Sequence, residues 1–207
     1  MEIMKKLLFT LFFISLNIFV FGQENLSHKS LERTSVDHRI NGYYPAGSKV
    51  EDKNALGGFW ESQNFPKTID QNMFVRQGEI FLVALPDEET VFNKKYKGMK
   101  LLLINATKEQ VAFSASDSLL YIVQEALDQN SEWKTIELTP RSSCGNSRHN
   151  VFLGANEYWE FAAARYTGDF KTKLRFRLDM QKFKSKQSPI YSNEFEGSIN
   201  RKQFDIR

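Results

Sequence analysis

The 207-residue sequence predicts an all-β protein whose main unit is one antiparallel β-sandwich over residues 76–207. From Gly78 onward, short runs rich in β-branched, aromatic or other apolar residues follow one another closely, as strands of a sandwich do. Turn-forming clusters separate many of them, and no stretch holds the 3.6-residue apolar spacing of an amphipathic helix for three turns. Hydrophobic residues make up 41%, charged residues 26% and aromatics 14% of the chain, enough apolar material for one core. That balance excludes a wholly disordered chain, a collagen-like fibre and a polytopic membrane protein. Cys144 is the single cysteine, so neither a disulfide-stapled miniprotein nor a Cys-rich zinc module is available, and the core must hold the fold.

The chain opens with Lys5 and Lys6, an apolar stretch from Leu7 to Phe21, then Gly22 and the polar Gln23, Glu24 and Asn25. A basic start, a short apolar centre and small residues at the exit predict a signal peptide over residues 1–22, cleaved after Gly22. The stretch contains Thr10, Ser15 and Asn17 and falls short of the roughly 20 apolar residues of a membrane span. No transmembrane span is therefore expected after cleavage, and the location predicted is periplasmic or extracellular. Loss of Lys5, Lys6 and Glu2 lowers the formal charge from +3 to +2, and so small a surplus predicts no nucleic-acid partner.

Residues 23–75 read as a polar, weakly ordered lead. Asn, Ser, His, Lys, Glu and Asp dominate as far as Lys53, Tyr43-Tyr44-Pro45-Ala46-Gly47 reads as a turn, and so polar a segment buries too little apolar surface to offset its ordering entropy. Residues 54–75, with Gly57-Gly58-Phe59-Trp60 and Asn64-Phe65-Pro66, are more aromatic and are placed against the domain.

Strands are expected at 80–85, 100–104, 110–115, 119–126, 133–138, 150–153, 158–164 and 172–178, with turns that include Pro86-Asp87, Gly154-Ala155-Asn156 and Thr167-Gly168-Asp169. Alternation puts Trp159, Phe161 and Ala163 on one face. Their Leu-Gly-Ala-Asn-Glu lead-in suits the corner before a late strand of an immunoglobulin-like domain, although the spacing is not that of the signature tyrosine corner. Thr172, Leu174, Phe176 and Leu178 point to a core, and Lys171, Lys173, Arg175 and Arg177 to water.

Lys97-Gly98-Met99-Lys100-Leu101, Glu132-Trp133 with Ile136-Glu137, Ser143-Cys144-Gly145-Asn146-Ser147, and Tyr191-Ser192-Asn193-Glu194-Phe195 with Gly197-Ser198-Ile199-Asn200 give residues 75–207 a recognisable style. It resembles uncharacterised secreted immunoglobulin-like β-sandwich proteins of Bacteroidota-type bacteria. The resemblance implies an exported location and brings no activity with it. Asp117-Ser118-Leu119 also looks like the short O-glycosylation triplet of such exported proteins.

Three sets of residues carry candidate chemistry. Cys144 and His149 share a polar turn cluster, where a thiolate and an imidazole suit copper or zinc, or a nucleophile and its base. Neither reading finds its remaining partners in the sequence; a structural cysteine is the plainer account, and a disulfide between chains is the other alternative for a lone cysteine in an oxidising compartment. Lys171, Lys173, Arg175 and Arg177 form a row with neighbours about 6.6 Å apart on a strand. Such a row suits an anionic glycan or an acidic envelope protein, or is simply a solvated face balanced by carboxylates such as Glu160. Trp60, beside Gly57-Gly58, is the aromatic most expected to be exposed as a platform for a sugar. No phosphate loop, paired-His metal helix, calcium ladder or serine elbow is present, so no cofactor is predicted. The function expected is an exported, non-enzymatic binding module for a surface glycan or protein. The alternatives are a small metal or redox protein using Cys144 and His149, or a hydrolase whose loop site the sequence does not reveal.

Overall fold

The computed structural model describes residues 33–73, 75–139, 145–180 and 188–205. Twelve strands follow in chain order: β1 (Lys67–Thr68), β2 (Ile80–Phe92), β3 (Tyr96–Asn105), β4 (Val111–Ser116), β5 (Leu119–Leu120), β6 (Ile122–Leu127), β7 (Trp133–Thr135), β8 (Arg148–Leu153), β9 (Glu157–Ala164), β10 (Phe170–Leu178), β11 (Ile190–Tyr191) and β12 (Phe195–Ile199). The described residues contain no α-helix, only 3-10 turns at Gly145–Ser147 and Arg201–Phe204. The first sheet runs β1-β9-β3-β2. The second runs β11-β10-β6-β7, with β12 also on β10, and a third runs β5-β4-β8. Every pairing between named strands is antiparallel, and the sheets do not close into a barrel.

The expected alternation is present where the core forms. Trp159, Phe161 and Ala163 of β9 and Leu174, Phe176 and Leu178 of β10 are all buried, and they meet Leu82, Leu101, Phe113 and Val151 in one cluster shared by all three sheets. Trp159 satisfies its indole by donating from Nε1 to the Gly47 carbonyl at 2.9 Å. Several boundaries differ from the sequence reading. Pro86-Asp87 is not a turn, because β2 continues through it, shifting register between Leu85 and Glu89 in a bulge that tolerates a proline. The run 119–126 breaks at Tyr121, whose carbonyl accepts from Asp179, so β5 stays with the third sheet and β6 joins the second. The edge of β2 is covered at Ala84, whose N–H and carbonyl both bond the Asn193 side-chain amide, at 2.8 and 3.1 Å.

From Arg33 onward the lead segment is packed, contrary to its composition, while residues 23–32 lie outside the described residues. Thr34, Val36 and Asn41 form parallel bridges to Tyr96, Tyr166 and Leu138, and Pro45 pairs with Leu119. Val36, Tyr44 and Ala46 are fully buried, so Tyr43-Tyr44-Pro45-Ala46-Gly47 is an extended crossing, not a turn. The few apolar side chains of this polar stretch join the core cluster that the sheets share, which no local period reveals. Gly42 permits the close approach: a Cβ there would lie 2.9 Å from the Ile122 carbonyl oxygen.

Beneath that crossing lies Glu137, 1% exposed. Its Oε2 accepts from the Tyr44 hydroxyl at 2.8 Å and from the Gln124 backbone N–H at 3.0 Å, and its Oε1 from the Tyr166 hydroxyl at 3.1 Å. Burial pushes the carboxyl from an ordinary 4.5 to about 7, overriding the three donors that favour its charged form. Burial beside the carboxylate also raises both tyrosine hydroxyls. An acid whose folded pKa is raised keeps its proton longer in the native state. Its contribution is therefore whole below about pH 4.5 and is lost as pH climbs to about 7. Glu137→Gln keeps the shape and can hold all three partners. Relative to that variant, the wild type should lose about 1 kcal/mol of stability per pH unit from pH 4.5 to 7 and nothing further above. Paired urea denaturations across that range check this, and a difference that does not vary with pH would refute it.

Candidate functional site

Residues 47–66 form a loop closed at its base. The Gly47 N–H donates to the Asn64 carbonyl at 2.8 Å, and the Asn64 amide donates to the Pro45 and Glu160 carbonyls at 2.9 and 3.0 Å. The loop is tied down midway by Asp52, whose carboxylate accepts from the Asn150 N–H at 2.7 Å, the Asn150 amide at 3.0 Å and the Asn54 N–H at 3.0 Å. At its tip Gly57 and Gly58 have φ of +78° and +82°, a left-handed pair that glycine adopts without strain. The chain then returns so that Phe59 stacks on His149, with ring centroids 3.7 Å apart and planes 11° from parallel.

His149 is buried at the start of β8. Its Nδ1 lies 3.2 Å from the Ser147 carbonyl oxygen, which only accepts, so Nδ1 carries the proton. Its Nε2, left without a proton, accepts from the Ser118 hydroxyl at 3.2 Å, and the same hydroxyl lies 2.9 Å from the Trp60 carbonyl, so its one proton serves two acceptors. Asp117 and Ser118 are the two-residue turn joining β4 to β5, and their φ values of 48° and 55° are those of a primed hairpin turn. Burial holds the imidazole below its ordinary pKa, opposed by its Ser147 bond and by Asp52, Asp117 and Glu61. A neutral imidazole, a hydroxyl set between Nε2 and a backbone carbonyl, and a stacked phenyl ring together fasten the returning loop to β8.

The loop and β8 enclose a cleft of about 310 Å³ whose wall includes Lys49, Glu51, Asp52, Phe59, Glu61 and Phe65. Lys49 is held by Glu157 at 2.5 Å, so the three wall carboxylates leave the cleft negative. Phe65 is 44% exposed, and Trp60, next to Phe59, is 50% exposed. The cleft thus offers apolar ring surface beside hydrogen-bond acceptors, a combination suited to ligands that present hydroxyl or amine groups.

The structure places the predicted residues unevenly. His149 lines this cleft and Trp60 is exposed on its loop, whereas Cys144 lies outside the described residues. The basic row of β10 is not a free cationic stripe. Lys173 pairs with Glu194 at 3.0 Å, and Arg175 and Arg177 share the buried Glu125 at 2.9 and 2.7 Å. The Arg175 guanidinium also lies 4.1 Å from the Trp133 ring centre and 4.0 Å from that of Tyr191. Lys171 has no ion pair among the described residues. Glu160 is not a counter-charge to the row, because β9 belongs to the first sheet and Glu160 faces Lys67 at 3.3 Å. Ser118 of the O-glycosylation triplet is buried, which leaves its hydroxyl no room for a glycan. The sequence offers no sign that Phe59, Glu61 and Phe65 belong to a site, and it marks Asp52 only as part of an acidic turn with Glu51 and Ser118 only as part of a glycosylation triplet. The visible signal was Gly57-Gly58 followed by two aromatics, while the partner of Asp52 lies 98 residues away.

Removing the Asp52 carboxylate strands the Asn150 and Asn54 donors. Asp52→Ala should cost about 2 kcal/mol of stability and speed proteolytic cleavage between residues 53 and 59, both readable by thermal melting and limited digestion. An unchanged digestion pattern would refute the anchoring role. In comparisons with known proteins, no family model matches the chain, and no curated protein or solved structure matches it.

Proposed function

We propose that the chain is an exported, immunoglobulin-like, non-enzymatic binding module that takes a neutral or amine-bearing saccharide in the cleft of loop 47–66. The observation that carries this reading is the exposed Phe65 ring in the same cleft wall as the carboxylates of Glu51, Asp52 and Glu61, with Trp60 exposed on the same loop. Aromatic faces accept the C–H face of a sugar ring, and carboxylates accept from its hydroxyl or ammonium groups. The sign of the cleft argues against an anionic ligand here. Export is supported by Lys5, Lys6 and the apolar stretch ending at Gly22, and an immunoglobulin-like assignment by antiparallel sheets packed on a shared core.

Ser118 and His149 are close enough to suggest an acyl-transfer pair, but their bonding serves the loop. The Trp60 carbonyl competes with Nε2 for the serine proton, and Nδ1 faces a carbonyl where a catalytic triad would place a carboxylate. A metal at His149 would have to displace one of two protein partners from its ring nitrogens.

Screening the mature chain against an array of neutral and amino sugars, followed by calorimetry on the best binder, tests the proposal. Phe65→Ala and Trp60→Ala should each weaken binding about 3- to 10-fold, the range expected for loss of one aromatic contact. Retention of no such sugar, or affinity indifferent to both substitutions, would overturn it.

A further inference from the structure

A second groove shares no lining residue with the loop cleft. It has a volume of about 540 Å³ and lies between the lead segment, the turn from β2 to β3 and Leu138. Arg39, Asn41, Tyr43, Asn93, Tyr96 and Leu138 line it, and Tyr43 and Leu138 are 46% and 40% exposed.

Its charge is opposite to that of the loop cleft. The Arg39 guanidinium is pinned by carbonyls alone: Nη2 donates to Thr135 at 3.0 Å and Nη1 reaches the Asp205 carbonyl at 3.5 Å. Its Nε is buried without an acceptor, and no carboxylate pairs with it among the described residues. Outside the lining, the Lys95 Nζ stands 4.9 Å from the Tyr96 ring centre. Asp37, the acidic residue nearest in sequence to Arg39, is engaged by His38 at 3.0 Å. The carboxyl beneath, Glu137, is taken up by Tyr44, Tyr166 and Gln124. A fixed guanidinium lacking an anionic partner calls for a planar carboxylate. Two tyrosine rings and two asparagine amides call for a ring with C–H faces and hydroxyl edges.

We infer that this groove is a binding site for an acidic saccharide of the uronate class, with the sugar carboxylate at Arg39, the ring against Tyr43 and Tyr96, and hydroxyls at Asn41 and Asn93. The site does not depend on the loop cleft being occupied. It also returns an anionic glycan to the molecule at a place other than the β10 row.

Calorimetry with a short oligogalacturonate, and with the same oligosaccharide after reduction of its carboxylates to alcohols, tests the inference on the mature chain. The acidic form should bind about tenfold tighter or more, as loss of a charged hydrogen-bonded pair implies. Tyr43→Ala, at an exposed position, should weaken both forms about 3- to 10-fold without shifting the melting temperature. Arg39→Lys keeps the charge but loses the fork, and should narrow the preference for the acidic form. Phe65→Ala should leave oligogalacturonate binding unchanged, which separates this site from the loop cleft. Equal affinity for the reduced oligosaccharide, equal affinity for polyglutamate, indifference to Tyr43→Ala, or loss of binding in Phe65→Ala would each overturn the inference.

Discussion

A carboxyl group without water organises this molecule. Glu137 draws a donor from the lead segment through Tyr44, one from the stretch after β9 through Tyr166 and one from β6 through Gln124. Buried polar groups are tolerated only when their hydrogen bonds are made, so these three pieces of chain must arrive together. Tyr44 packs edge-on against Phe161 and Phe176, which couples the polar clasp to the apolar core of two sheets. The crossing of residues 33–47 between the sheets follows from that coupling. So do both clefts, because the loop cleft begins where the crossing ends at Gly47 and the tyrosine groove is walled by Arg39, Asn41 and Tyr43.

The outer faces show how charge is distributed once strands are paired. β10 exposes a cationic row, but β6 places Glu125 against its centre and the segment before β12 places Glu194 against its start. With Trp133 and Tyr191 on either side of Arg175, most of the row becomes a packed ionic layer. Uncompensated charge survives in the clefts, where the backbone and burial restrict what can answer it: carboxylates around loop 47–66, and at Arg39 a guanidinium that, among the described residues, is held by carbonyls and no carboxylate. The two surfaces therefore select ligands of opposite sign.

Much of the strand pattern was legible because two-residue alternation is a local property. Trp159, Phe161 and Ala163, or Leu174, Phe176 and Leu178, declare their face without knowledge of any partner. The short β11 and β12 were not legible, since polar Ser192, Asn193 and Glu194 interrupt them and only pairing with β10 makes them strands. The lead looks weakly ordered by composition for the same reason. Val36, Tyr44 and Ala46 are too sparse to form a period, and their burial depends on a core cluster built by residues far along the chain. Of the loop cleft, Trp60 and His149 were visible, but Asp52 gained its role from Asn150 and Ser118 from Trp60, contacts that spacing does not encode.

The sequence by itself determined an all-β chain with one core, the faces of its longer strands and the residue types available for binding, because these depend on composition and on neighbours a few positions away. Tertiary structure alone decided that the polar lead belongs to the core, that the cationic row is largely neutralised and that Arg39 is met by the Thr135 and Asp205 carbonyls. Each of those outcomes rests on a partner contributed from a distant part of the chain. The energy of a charge or a buried side chain is set by what surrounds it in space, and proximity along the chain does not specify that.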